Sequence, residues 1–229
     1  MFCYQCEQTR QGTACTARGV CAKTPEVAAL QDLLLYAARG LAHAARRTGG
    51  DAADAAALAG EALFTTVTNV NFDAAALARR IREIVARRDA LAAQYTEAPP
   101  AAAVFVPAET ARLMAEQGEA IGIAARRDRF GVDRVGLQEL LTYGLKGVAA
   151  YAHHARILGQ TDADVDAFML EALDALNDPA PTVDGLFALA MRCGEISVKV
   201  LALLDAANTG RFGTPTPTPV RMGAVAGKA

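Results

Sequence analysis

TPEVAALQDLLLYAARGLAHAARRTGG, residues 24–50, carries the reading that decides the fold. Thr24 can cap a helix with its hydroxyl, Pro25 suits the first turn, and the Glu26 carboxylate meets the positive helix end. Val27, Leu30, Leu34, Ala37 and Leu41 then recur every three or four residues, which predicts an amphipathic helix stopped at Gly49-Gly50. The same periodicity predicts a second helix from Asp51 to about Phe64. A third runs from Asp73 to about Tyr95 on Leu77, Ile81, Ile84 and Leu91, with Pro99-Pro100 closing the group. APPAAAVFVP, residues 98–107, reads as a hinge or crossover, because consecutive prolines remove donors and disfavour a continuing helix. Further helices are expected near 108–126, 135–158, 162–177 and 183–208, the last capped by Gly210. No strand alternation precedes residue 220, so the fold class is all-α. We expect two helical bundles, 24–98 and 99–213, between a cysteine-rich loop at 1–23 and an extended linker at 214–229. The TPTPTPV run at 214–220 suits that linker, because alternating proline prefers extended backbone.

The helix at 24 leads out of a loop that holds four of the five cysteines: Cys3, Cys6, Cys15 and Cys21. Thiolates are soft ligands, and four without histidine point to an iron–sulfur cluster or to zinc. Structural zinc sites usually present two Cys-x-x-Cys knuckles. Here Cys15 and Cys21 stand too far apart for a knuckle, whereas a cluster spreads its ligands over several irons and tolerates unequal spacing. Spacing therefore favours iron–sulfur and leaves zinc open. A disulfide framework is disfavoured, because MFCYQCEQ has neither the basic start nor the apolar run of a signal peptide and a fifth cysteine would be left over. A reducing cytoplasm is expected. Gly12, Thr13, Thr16 and Gly19 suit a backbone folded closely around a compact charged group.

Composition fits a self-standing helical protein: 229 residues, 52% hydrophobic, 6% aromatic, formal charge −2. A chain of this length buries about 70% of its unfolded surface, so a metal is not needed merely to make a core. No concentrated basic face marks a nucleic-acid binder. Arg46-Arg47, Arg79-Arg80 and Arg126-Arg127 read as solvated helix surface. No charge-free apolar run approaches the roughly 18 residues of a membrane span.

Beyond spacing, MFCYQCEQT at 1–9 and GTACTARGVCAKTPEVAALQDLL at 12–34 resemble the amino terminus of the hybrid-cluster proteins, also called prismane proteins or hydroxylamine reductases. FTTVTNVNFD at 64–73, ELLTYGLKGVAAYAHHA at 139–155 and CGEISVKVLALLDAANTGRFGTPTPTPV at 193–220 agree, so the resemblance runs the length of the chain. It implies a mostly helical first domain in which Cys3, Cys6, Cys15 and Cys21 bind a conventional cluster. Their tight spacing implies a 4Fe–4S cubane rather than the 2Fe–2S variant. It also implies that hydroxylamine reduction to ammonia and water, and reduction of nitric oxide, occur at a second, hybrid iron–sulfur–oxygen centre. That centre is held by a histidine, two glutamates and several cysteines in later domains absent from these 229 residues. The chain then reads as an amino-terminal part, inactive alone, that relays electrons from a ferredoxin-like or NADH-linked donor to those missing catalytic domains. The rival from another class is a non-enzymatic docking module stabilised by zinc.

Other candidates are weighed against ordinary structural roles. Cys193 shares a helix face with Leu186, Ala190, Ile196, Val200 and Leu203 and reads as a buried apolar residue. His153 and His154 point in different directions from one helix and suit surface or capping roles, and His43 has no partner spacing. Asn71 and Asp73 suit a capped turn, while Thr68 and Asn69, with Asn71, are candidates to line a substrate cavity facing the hybrid centre. Gly144 and Gly147 each cost about 1 kcal/mol inside a helix, so a close approach is expected there. Lys146 between them reads by default as solvated, with tuning of the cluster as the alternative.

Overall fold

A computed structural model of the chain describes residues 1–48, 52–92, 98–220 and 223. The expected stop at Gly49-Gly50, the helix start at Asp51 and the end near Tyr95 lie outside them. Among the described residues all helices and no strands are found, in the order α1 (Pro25–Thr48), α2 (Ala52–Thr65), α3 (Ala74–Ala92), α4 (Ala111–Ile121), α5 (Ile123–Phe130), α6 (Val132–Ile157), α7 (Ala163–Ala175) and α8 (Val183–Phe212). The all-α expectation holds.

Helix α1 starts as its sequence dictates, with the Val27 amide donating to Thr24 Oγ1 at 3.2 Å. It is not a surface amphipathic helix, however. From Val27 to Ala45 only Asp32 and Tyr36 escape full burial, and α2, α3, α4 and α7 pack around it. The reason is its second face, made of small residues that let backbone come close. A Cβ on Gly40 would lie 2.1 Å from the Ala102 carbonyl oxygen, and one on Gly118 of α4 would lie 2.0 Å from that of Ala29. The Ala/Pro stretch at 98–107 is therefore docked on α1 through a short 3-10 turn, Ala101–Ala103, which buried Arg88 ties to α3 by donating to the Ala102 carbonyl at 3.2 Å. Apolar side chains from both sides of this stretch, among them Leu34, Leu63, Ile81, Leu141, Leu145 and Met169, join one core cluster.

Two expected boundaries move. The single helix near 108–126 is two, because Gly122 is extended (φ −68°, ψ −179°) and redirects the chain between α4 and α5. Helix α8 runs through Gly210 to Phe212 and stops at Gly213, whose φ of +79° is the left-handed geometry glycine adopts freely. Residues 214–220 continue without helix and are exposed throughout. No described helix is long and apolar enough to cross a membrane.

Candidate metal centre

The amino-terminal loop is organised by backbone rather than by a core. Cys3 and Cys15 exchange two hydrogen bonds, Cys3 amide to Cys15 carbonyl at 3.1 Å and Cys15 amide to Cys3 carbonyl at 2.8 Å. Thr9 braces this bridge, its hydroxyl donating to the Cys3 carbonyl at 3.1 Å and lying 3.8 Å from Cys15 Sγ. The loop turns through left-handed backbone at Gln11 and Gly12, between the second and third cysteines, and at Ala22, just after the fourth; at Gln11 and Ala22 this conformation is uncommon for a residue with a Cβ. Gly19 lies against the fourth cysteine, where a Cβ would come within 3.0 Å of Cys21 Sγ and 3.1 Å of the Lys23 Cβ.

Cys15 is buried, and Cys3, Cys6 and Cys21 are partly exposed; all are free thiols. The backbone amides of Arg10 and Val20 hold the Cys15 thiol below its ordinary range. Burial raises Cys3, opposed by the Gln5 amide and by the charges of Lys23 and Lys146. The donor set, four soft ligands on one loop with backbone amides directed at the Cys3 and Cys15 sulfurs, fits the chemistry of a thiolate-bound metal group. No described group of three or more His, Cys, Asp or Glu is arranged as around a single ion.

Beneath the loop lies a layer of buried polar groups. Lys146 is 7% exposed, and its ammonium donates to Gln5 Oε1 at 2.6 Å and to the Thr66 carbonyl at 3.0 Å. The reading of Lys146 as solvated is overturned, because α6 carries it inward against the loop and α2. Burial lowers its pKa to about 8. Lys23, also buried, donates to Gln31 Oε1 at 2.6 Å, and Gln31 donates on to the Asn71 carbonyl at 2.9 Å. Asp32 and Tyr143 stand in the same layer. Burial pushes Asp32 up to about 6, and the Glu139 charge adds to the rise; burial and then Glu139 likewise raise Tyr143. Arg126, far from being free surface, binds Glu139 at 2.6 Å and Gln138 at 3.1 Å.

A cavity of about 380 Å³ opens beside this layer, walled by Gln5, Thr68, Tyr143, Lys146, Gly147 and His154 among others. Of the three residues suggested as cavity lining, Thr68 borders it and Asn69 and Asn71 do not. Asn69 is exposed at a left-handed position (φ +65°), and Asn71 Oδ1 accepts from the Asp73 amide at 2.8 Å. Asp73 in turn caps α3, accepting from the amides of Ala75 and Ala76.

Gly144 and Cys193 explain each other: a Cβ on Gly144 would fall 2.8 Å from Cys193 Sγ, so the glycine lets α8 close on α6. Cys193 is 3% exposed, its thiol pushed up to about 11 by burial. His153 and His154 both pack on the Phe64 ring, at 5.1 and 5.5 Å between centroids. His43, given no role from sequence, is buried with Nδ1 2.8 Å from Asp174 Oδ1 and joins α1 to α7, Arg46 binding the other carboxylate oxygen at 2.5 Å. No local spacing could have revealed a pair 131 residues apart.

The Prismane/CO dehydrogenase family matches residues 1–229. The chain is 51% identical to the hydroxylamine reductase of Zymomonas mobilis, aligning over all of this chain and 43% of that protein. It is 50% identical to that of Rhodospirillum rubrum, over all of this chain and 44% of the relative. For Methanocella arvoryzae the identity is 45%, again over all of this chain and 44% of the relative. The chain thus spans less than half the length of the curated relatives it matches. With a match that extends over every residue, the chain belongs to the Prismane/CO dehydrogenase family.

Proposed function

We propose that this chain is the iron–sulfur electron-transfer domain of a hydroxylamine-reducing protein, with Cys3, Cys6, Cys15 and Cys21 holding a 4Fe–4S cluster. The observation that carries this reading is the loop itself: four cysteine thiols on one short braced segment, set over two buried lysines, in a chain similar throughout to proteins named hydroxylamine reductase. When bound, such a cluster supplies one-electron oxidation and reduction.

The chain's own residues prepare the place. The Cys3–Cys15 bridge fixes two of the sulfurs relative to one another, and amides of Arg10 and Val20 stabilise thiolate at Cys15. Lys23 and Lys146, fixed by Gln31, Gln5 and the Thr66 carbonyl, put positive charge beneath a site that becomes more negative on reduction. The remaining domains of the parent protein receive the electron and carry the hybrid centre, so the 229 residues alone reduce no hydroxylamine. Phe187, Met191, Val198 and Leu201 of α8, large and exposed, offer those domains an apolar face. The donor is a ferredoxin-like or NADH-linked reductase, and five free cysteines suit a reducing cytoplasm. Neither a nucleic acid nor a membrane is part of this reading.

The test is to purify the chain without oxygen and to measure iron, sulfide and zinc per chain with the visible spectrum before and after dithionite. The expected result is about four irons and four sulfides, the content of a cubane, with a band that bleaches on reduction. One zinc and no colour would replace this reading with the zinc-stabilised docking module.

A further inference from the structure

A second cavity, of about 270 Å³, shares no lining residue with the one beside the cysteine loop and is walled by α1, α4, α5, the 98–103 segment and the turn after α7. Its wall carries three arginines, Arg39, Arg126 and Arg129, against one carboxylate, Asp178. Arg126 is already engaged by Glu139 and Gln138. Asp178 is turned to its own chain, accepting from the Ala180 amide at 2.8 Å. Arg129 stands at the exposed rim, its guanidinium over the Phe130 ring.

Arg39 differs from both. It is only 7% exposed, its buried Nε has no hydrogen-bond partner, and no carboxylate pairs with it among the described residues. Burial, with Arg126 nearby, lowers its pKa to about 10 against the opposing charges of Glu139 and Asp32, which still leaves it protonated at neutral pH. A buried cation with an unfilled donor is unfavourable, and buried polar groups almost always have a hydrogen-bond partner, which an anion entering this cavity would supply. The planar fork of a guanidinium matches a carboxylate, which it can hold through two parallel hydrogen bonds. Ile121 and Phe130 supply an apolar wall beside that charge.

We propose that this cavity binds a small organic acid, its carboxylate on Arg39 and its carbon chain against Ile121 and Phe130. The volume is at the low end for ligand sites and suits a chain of roughly three to five carbons. The Arg129 side chain at the rim draws the anion inward. The inference does not depend on what the cysteines hold.

The test titrates the 229-residue chain with sodium butyrate at constant ionic strength, following the thermal midpoint and the line width of ¹³C-labelled butyrate. Butyramide, of the same shape without the charge, and inorganic phosphate are the comparison arms. The midpoint should rise with butyrate and hardly move with butyramide or phosphate. Arg39→Gln should weaken binding about tenfold or more, the effect of removing a charged hydrogen-bond partner. Should that variant fail to fold, Arg39→Lys, which keeps the charge and loses the fork, should weaken it several-fold, and Arg129→Gln should do less. Equal responses to butyrate and butyramide, no response to either, or affinity unchanged in the Arg39 variants would overturn the proposal. A response to phosphate as large as that to butyrate would overturn the organic acid as the ligand.

Discussion

The cysteine loop and helix α1 meet at Thr24 and are held by opposite means. The loop has a backbone bridge, a threonine brace and three left-handed residues, with most of its side chains at the surface. Helix α1 has almost no exposed residue from Val27 to Ala45 and touches its neighbours backbone to backbone through glycines. The lesson is a division of labour. The helical body is stabilised by apolar burial, whereas the loop, with little burial of its own, is held by backbone and side-chain hydrogen bonds.

The sharpest way to break that comparison is to crowd the body. Gly118→Val puts a branched side chain where even a Cβ would lie 2.0 Å from the Ala29 carbonyl oxygen. We expect a loss of about 3 kcal/mol or more, or failure to fold, since overpacking at a backbone contact has no flexible neighbour to yield. Urea denaturation followed by circular dichroism measures it, and an unchanged midpoint would mean that α1 and α4 are not in contact as described.

Next in size is the polar layer between the two regions. The Asp32 pKa is raised from 3.8 to about 6, so the folded chain binds more protons than the unfolded chain in that interval and its stability falls as pH rises from about 4 to 6. Asp32→Asn should remove this dependence and leave the variant more stable than the parent above pH 6, by about 1 to 3 kcal/mol. Lys146 acts in the alkaline range with the other sign of dependence. Its pKa is lowered from 10.5 to about 8, so the unfolded chain binds more protons there and stability rises as pH increases from 8 to 10.5. Urea midpoints across pH 4–10.5 in parent, Asp32→Asn and Lys146→Met check both signs.

A smaller effect separates two glycines near the end of α8. Gly210 lies within the helix with open space around its Cβ position, whereas Gly213 ends the helix at φ +79°. Gly210→Ala should stabilise by about 0.5 to 1 kcal/mol, and Gly213→Ala should destabilise by about 1 kcal/mol. Equal effects at the two positions would contradict the placement of the helix end.

The smallest effect on the body is expected at the cysteines themselves. Cys6→Ser, at a partly exposed position, should change the urea midpoint of the metal-free chain by less than about 0.5 kcal/mol while removing most of the bound iron. Iron analysis beside the denaturation curve reads both. A large loss of stability in the metal-free chain would erase the distinction between loop and body.

Local chemistry explains which parts were legible. The Thr24 and Asp73 caps, the helical periodicities and the cysteine spacing each depend on residues within a few positions of one another, so the helices and the four candidate ligands could be read directly. The burial of Cys193 was legible for the same reason. Lys146 was not, because a lysine inside a helix looks the same whether its face meets water or, as here, Gln5 and the Thr66 carbonyl. His43 and Asp174 were hidden by their separation along the chain, and Gly210 by the presence of a second glycine three residues on.

By itself the sequence determined that the protein is helical, that its thiols gather at the amino terminus, and which family it resembles, because periodicity, capping and ligand spacing are short-range properties. Only the tertiary structure decided that α1 is the central helix, that Lys23 and Lys146 lie beneath the cysteine loop, and that Arg39 is buried with no carboxylate in ion-pair contact among the described residues. Burial and pairing depend on which distant segments pack together, and that choice is made by the summed contacts of the whole chain rather than by any stretch of it.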